Sequence, residues 1–416
     1  MPLAEARAHL GREPLDIEAE LKRGSEISII NIVDCLIGHA HTRRASDIHI
    51  DPSHEQVAVR LRVDGVLHDS FTIPKSIHPE VVSRIKVLAG LRTDEHAASQ
   101  DGRLRHIVAP EHPPVDIRVS IVPTYHGENV VMRLLTNNAG EFTLENFGFN
   151  EEDLKKIHKA ATHPSGMILS TGPTGSGKTT TLYTILRTLN TKEVSIVTIE
   201  DPIEYAVQGV KQIQVNNRTG LTFANGLRSI LRQDPNIIMV GEIRDSETAS
   251  IAVNTALTGH LLLSTLHTND AATTLPRLLD MGIDAYLVAS TIEVAIGQRL
   301  VRRICPKCKE ERKVTEQGAV TLSNFGIKKP VKEGEVFFKG KGCEECGGSG
   351  YKGRMCINEV LAADDQIRDA IMRRASSAEL RKIAIKNGMT PMLEDGFEKA
   401  RKGETTVEEV LRVIRD

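Results

Sequence analysis

The chain reads as an α/β protein: a parallel-sheet nucleotide-binding core lies between a smaller α+β module and a cysteine-bearing, helical C-terminal part. Three observations predict this. Residues 172–179 spell Gly-Pro-Thr-Gly-Ser-Gly-Lys-Thr, a full match to the phosphate-loop pattern G-x-x-x-x-G-K-[ST]. From Glu151 to about Leu300, short apolar runs alternate with stretches of helical periodicity, the texture of parallel strands joined by crossover helices. Before that, several segments alternate with period two around turn residues, as antiparallel hairpins do.

In chain order, the spacing of Ile27, Ile30, Val33, Leu36 and Ile37 predicts a helix from Ser25 to about Ala40. Residues 46–50 and 57–63 predict a hairpin turning at 51–54, and Asp64-Gly65 makes the next turn. Pro79 opens a second helix through Val82, Ile85 and Leu88. Strands over 102–108, 116–122 and 130–135 complete the module. Residues 137–146 are polar and read as a hinge. The division expected is an N-terminal extension (1–24), an α+β domain (25–136), a linker (137–150), the core (151–300), a tetracysteine element (301–356) and a helical region (357–416).

Composition narrows the function classes. The chain has 416 residues, 40% hydrophobic and 26% charged, as in a soluble globular protein. Aromatic residues make up 3% and the net charge is −2. Both argue against a stacking platform or a basic field for nucleic acid, so no direct nucleic-acid contact is expected. The N-terminus lacks a signal-peptide core and no apolar run spans a bilayer, so a cytoplasmic protein is expected.

The site residues follow from the loop. Gly172, Gly175 and Gly177 allow backbone N–H groups to converge on one anion, and Pro173, Thr174, Ser176 and Thr180 complete the turn and the helix start. Lys178 supplies charge to the β- and γ-phosphates of ATP, and Thr179 a hydroxyl for Mg²⁺. The strand over 195–199 ends in Glu200-Asp201-Pro-Ile-Glu204, a carboxylate cluster suited to Mg²⁺ or to activating water; a solvated acidic loop is the plainer alternative. Residues 237–240 end in Gly241-Glu242, a carboxylate placed to hold Mg²⁺, while Arg244 and Asp245 read as a loop ion pair. A third buried strand is bracketed by His260 and His267, either structural or sensing the γ-phosphate.

Together these blocks resemble the secretion ATPase superfamily of type II secretion, type IV pilus assembly and DNA uptake. The likeness rests on 172–183, 198–205, 231–245 and 258–270, with 46–52, 64–67, 100–103, 116–120 and 127–135 in the first module. It covers roughly residues 25–400 and departs at Asn236, where the family has Asp. The resemblance implies a RecA-like core, a PAS-like first domain and a homohexamer hydrolysing ATP. Arg103 and Arg118 would then act as fingers on the phosphates. It also implies an inner-membrane platform protein and a cytoplasmic docking protein as partners, with peripheral membrane association through them. The family usually carries a further N-terminal docking domain; about two dozen residues precede the first module here, as expected of either a truncated or a naturally short chain. The alternatives are a DNA-uptake pilus motor, a nucleic-acid translocase and a non-catalytic ring scaffold; intact Lys178, Thr179 and Glu242 argue against the last.

Cys305-Pro-Lys-Cys308 and Cys343-Glu-Glu-Cys346 form two C-x₂-C knuckles, the spacing of a structural Zn²⁺ site closed by four thiolates. Four unlinked thiols or a redox pair are the alternatives. Lys307 and Lys309 suit compensation of thiolate charge. Within the resembled family, this element belongs to secretion and pilus-extension members and argues against retraction. Cys35 and Cys356 read as packing residues.

Overall fold

In the computed structural model, residues 28–108, 114–135 and 143–415 are described. The chain divides into two units, 1–140 and 141–416, and each is described by itself.

The first unit is a six-stranded antiparallel sheet: β1 (Ala45–Pro52), β2 (Gln56–Val63), β3 (Val66–Pro74), β4 (Gln100–His106), β5 (Val115–Thr124) and β6 (Gly127–Leu135), in the order β3-β2-β1-β6-β5-β4. Its apolar residues Ile48, Ile50, Val59, Ile117 and Met132 bury against Ile32 and Leu36 of helix Ile29–Thr42 and Val82 and Ile85 of helix His78–Ala89. Ser28 caps the first helix through its hydroxyl, and Gly90, at φ 67°, ends the second. The sequence reading located the turn at Asp64-Gly65 but not β3, whose residues, all but Ile73, are exposed or half-exposed and break the alternation.

The second unit holds a seven-stranded sheet. Its strands are β7 (Gly166–Thr171), β8 (Ile196–Glu200), β9 (Lys211–Gln214), β10 (Ile237–Val240), β11 (Leu261–Leu266) and β12 (Ile292–Ile304), then β15 (Tyr351–Ala362) after the small hairpin β13 (Lys309–Lys313) and β14 (Val336–Gly340). The order is β15-β12-β7-β11-β10-β8-β9, parallel except for β15. β7, β8, β10 and β11 are buried along their whole length, because helices cover both faces of a parallel sheet and leave no polar side. β12 and β15 run across the boundaries read at 300/301 and 356/357, so the cysteine element is an insertion between two strands of the core sheet.

The proposed N-terminal extension and linker residues 137–142 lie outside the described residues. Residues 143–150 differ from the linker reading. They form the short helix Leu144–Phe147 capped by Thr143, with Leu144, Phe147 and Phe149 buried in the second unit's core. Three large apolar side chains in a polar stretch seek that core. Among the described residues, no helix is long and apolar enough to cross a membrane.

Candidate active site

Parallel strands place their C-terminal ends along one edge, where open α/β sheets bind ligands. β7 ends there in Thr171 and runs into the glycine loop. β10 ends in Gly241-Glu242, and β11 runs out to His267.

The loop closes onto helix Lys178–Leu189, which starts after Gly177 at φ 88°. Gly172 sits at φ 143°, and a Cβ there would run into the Gln298 carbonyl oxygen, so no side chain is tolerated. At Gly177 a Cβ would lie 2.6 Å from the Phe147 ring. The Lys178 ammonium donates to the carbonyls of Gly172 (2.7 Å) and Pro173 (3.0 Å). Burial lowers its pKa, and the Glu242 carboxylate opposes that fall. Thr179 and Thr180 are half-exposed at the helix start.

Glu242 is 9% exposed, with one oxygen 2.5 Å from Arg244 Nη2 and the other 2.9 Å from His267 Nε2. Burial works against its charge, but hydrogen bonds from Arg244 and His267 outweigh this and hold its pKa below the usual value. Arg244 therefore pairs with Glu242 rather than with Asp245. Asp245 instead caps helix Ser246–Leu257, accepting from Thr248 N at 2.7 Å.

The other candidates separate. Glu200 is 2% exposed and accepts from Thr198 Oγ1 (2.5 Å), the Tyr183 hydroxyl and Gln212 Nε2 (3.2 Å). Burial raises its pKa against those donors. It braces Tyr183 inside the domain, whereas Glu204 is half-exposed. His260 precedes β11, at the edge opposite the glycine loop, and its Nδ1 lies 3.2 Å from the Thr255 carbonyl. The length of β11, about 20 Å at 3.3 Å per residue, keeps it from the phosphates. This corrects the sensing reading of His260: a residue at the start of a parallel strand faces the wrong edge. Asn236 keeps an acceptor's work, its Oδ1 receiving Ser195 N at 2.8 Å. On the first unit, Arg103 and Arg118 stand opposite each other across β4 and β5, with Arg133 next in the row on β6. Their neighbours Leu104, Ile117 and Val119 turn to the core, so alternation puts these arginines on the other face.

Sequence reasoning missed Gln298 and Tyr183. The signal was present for the first: a glutamine inside the buried strand β12 must find hydrogen-bond partners.

The four cysteine sulfurs lie within 4.8 Å of one another, with Cys305–Cys343 at 3.8 Å, Cys308–Cys346 at 3.9 Å and Cys343–Cys346 at 3.7 Å. A tetrahedral zinc with bonds of about 2.3 Å needs sulfurs about 3.8 Å apart, so the donor set fits. Backbone N–H groups of Gly342 and Gly350 point at the Cys308 and Cys346 sulfurs. Lys309 stacks on Phe338 and reaches the Lys402 carbonyl instead of a thiolate. Cys35 and Cys356 are buried.

Residues 22–412 match the type II/IV secretion system protein family. The chain belongs to that family. It is 48% identical over 401 residues to the type II secretion system protein E of Xanthomonas campestris pv. campestris, covering 96% of this chain and 70% of that one. It is 46% identical to the type IV pilus assembly ATPase PilB of Thermus thermophilus, covering 90% of this chain and 42% of the relative. Among solved structures, the Legionella pneumophila ATPase DotB matches with TM-score 0.68 at 22% identity over 94% of this chain and 97% of that one. The retraction motor PilT with bound ADP matches at TM-score 0.62 and 24% identity, over 92% and 97%. These two show the fold alone, that of RecA-like ATPases. As a family member the chain is an ATP hydrolase of secretion and pilus machinery, and the family implies ATP and Mg²⁺.

Proposed function

We propose that the chain uses ATP hydrolysis to drive assembly of a pseudopilus or type IV pilus, as a cytoplasmic homohexamer working through an inner-membrane platform protein. The observation that carries the reading is the convergence of Lys178, Glu242 and His267 at the edge where the glycine loop opens.

Lys178 would hold the β- and γ-phosphates, and Thr179 and Glu242 would hold Mg²⁺, which would offset charge on the phosphate oxygens. Glu204 or Glu200 would orient the attacking water; Glu200 also accepts from Thr198, Tyr183 and Gln212. Attack in line on the γ-phosphorus breaks its bond to the bridging oxygen, releasing ADP and phosphate. The family resemblance alone supports a part for Arg103 and Arg118 in the same reaction. The four cysteines would hold a structural zinc, since four thiolates leave no position for water.

Phosphate release by the purified hexamer tests this. Lys178→Ala should cut turnover by roughly 10²–10³. Equal turnover in that variant would overturn the assignment.

A further inference from the structure

We propose that Gln298 is a positioning residue for the phosphate loop: its side-chain amide sets the direction of the Gly177 N–H, an inference that rests on reading 172–179 as the ATP site. Gln298 lies on β12 beside β7 and is fully buried. Its Nε2 donates to the Ser176 carbonyl at 2.8 Å, and its Oε1 accepts from Thr181 Oγ1 at 2.8 Å and Ser170 Oγ at 3.2 Å. A carbonyl can only accept, so the amide nitrogen must face Ser176. The amide oxygen then faces two hydroxyls, both able to donate. One side chain thus ties together the end of β7, the loop and the first turn of the following helix.

The consequence for phosphate binding is geometric. In a trans peptide, the C=O and the next N–H point opposite ways. Holding the Ser176 carbonyl on Gln298 therefore aims the Gly177 N–H away from β12. Gly177 is closely backed on that side, since a Cβ there would lie 2.6 Å from Phe147 Cζ and 3.2 Å from Gln298 Nε2. The Gln298 backbone carbonyl also backs Gly172, whose own carbonyl receives Lys178. Without the amide donor, the buried Ser176 carbonyl must rotate to find another, carrying the Gly177 N–H with it. An apolar side chain would fill the same place in β12, so the strand alone does not require a glutamine.

The test uses the full chain and the fluorescent analogue mant-ATP, with steady-state kinetics alongside. Gln298→Glu keeps the accepting oxygens and loses the donor; Gln298→Met loses both. Each should weaken mant-ATP binding and raise KM for ATP at least tenfold, with a smaller fall in kcat. Thr181→Val, which leaves the Ser176 contact intact, should change affinity less than threefold. A purely structural role would lower the melting temperature and leave the affinity of the folded protein unchanged. Gln298→Glu is near-isosteric and carries the test if Gln298→Met fails to fold. A folded Gln298→Glu protein that binds within twofold of wild type overturns the inference. Failure of the wild-type chain to bind mant-ATP would overturn the ATP-site reading itself.

Discussion

The phosphate loop and the cysteine element are both glycine-rich turns shaped for a charged guest, yet they are held in opposite ways. The loop leans on β7, on β12 and on buried Ser170, Thr181, Phe147 and Gln298. The cysteine element has thin support. Every residue of β13 is exposed, and helix Glu316–Ser323 buries only Ala319. Ile327, Val331 and Phe337 reach the small cluster around Val301, Met355 and Phe397. The protein itself shapes the first turn; on the zinc proposal, four sulfurs around one ion would shape the second. Changes in the loop should therefore cost chemistry and spare the fold, while changes at the cysteines should do the reverse.

The largest expected effect lies at the cysteines. Zinc binding worth about 10–16 kcal/mol in small peptides far exceeds what this exposed hairpin can gain from packing. Cys343→Ser, or chelation, should open residues 305–350 to limited proteolysis while the core's cooperative transition survives. Metal analysis should find one zinc per chain. A protease-resistant, zinc-free element would break the comparison.

On the loop side, Glu242→Gln should reduce turnover about 100-fold and keep both nucleotide binding and the melting temperature. Collapse of the fold would show that the site residues are also structural.

How far these features were legible depends on how local their cause is. The phosphate loop, β10 and the cysteine knuckles are local patterns, and the sequence places them to within a residue or two. The helix at 144–147 and the brace from Gln298 depend on contacts from far along the chain, which no short window contains. The two histidines show the same limit. They bracket one strand, and only the sheet's parallel order says which of its ends faces the nucleotide loop.

A smaller effect concerns pH. The pKa of Glu242 is held down chiefly by Arg244 and His267, working against burial. For a carboxylate with a depressed folded pKa, the stabilisation is present above the unfolded value of about 4.3 and lost as pH falls through the folded one. Arg244→Ala should move the acid limb of kcat/KM to higher pH. An unmoved limb would detach it from Glu242.

The smallest effect sharpens the comparison within a single strand. His260 bonds the Thr255 carbonyl at the far edge, so His260→Ala should cost about 1 kcal/mol of stability, the worth of one hydrogen bond. Turnover should stay within twofold. His267→Ala removes a donor from Glu242 and should slow turnover roughly tenfold with little change in melting temperature. If His260→Ala slowed turnover as much as His267→Ala, the edge of the sheet would not be what assigns the two histidines their roles.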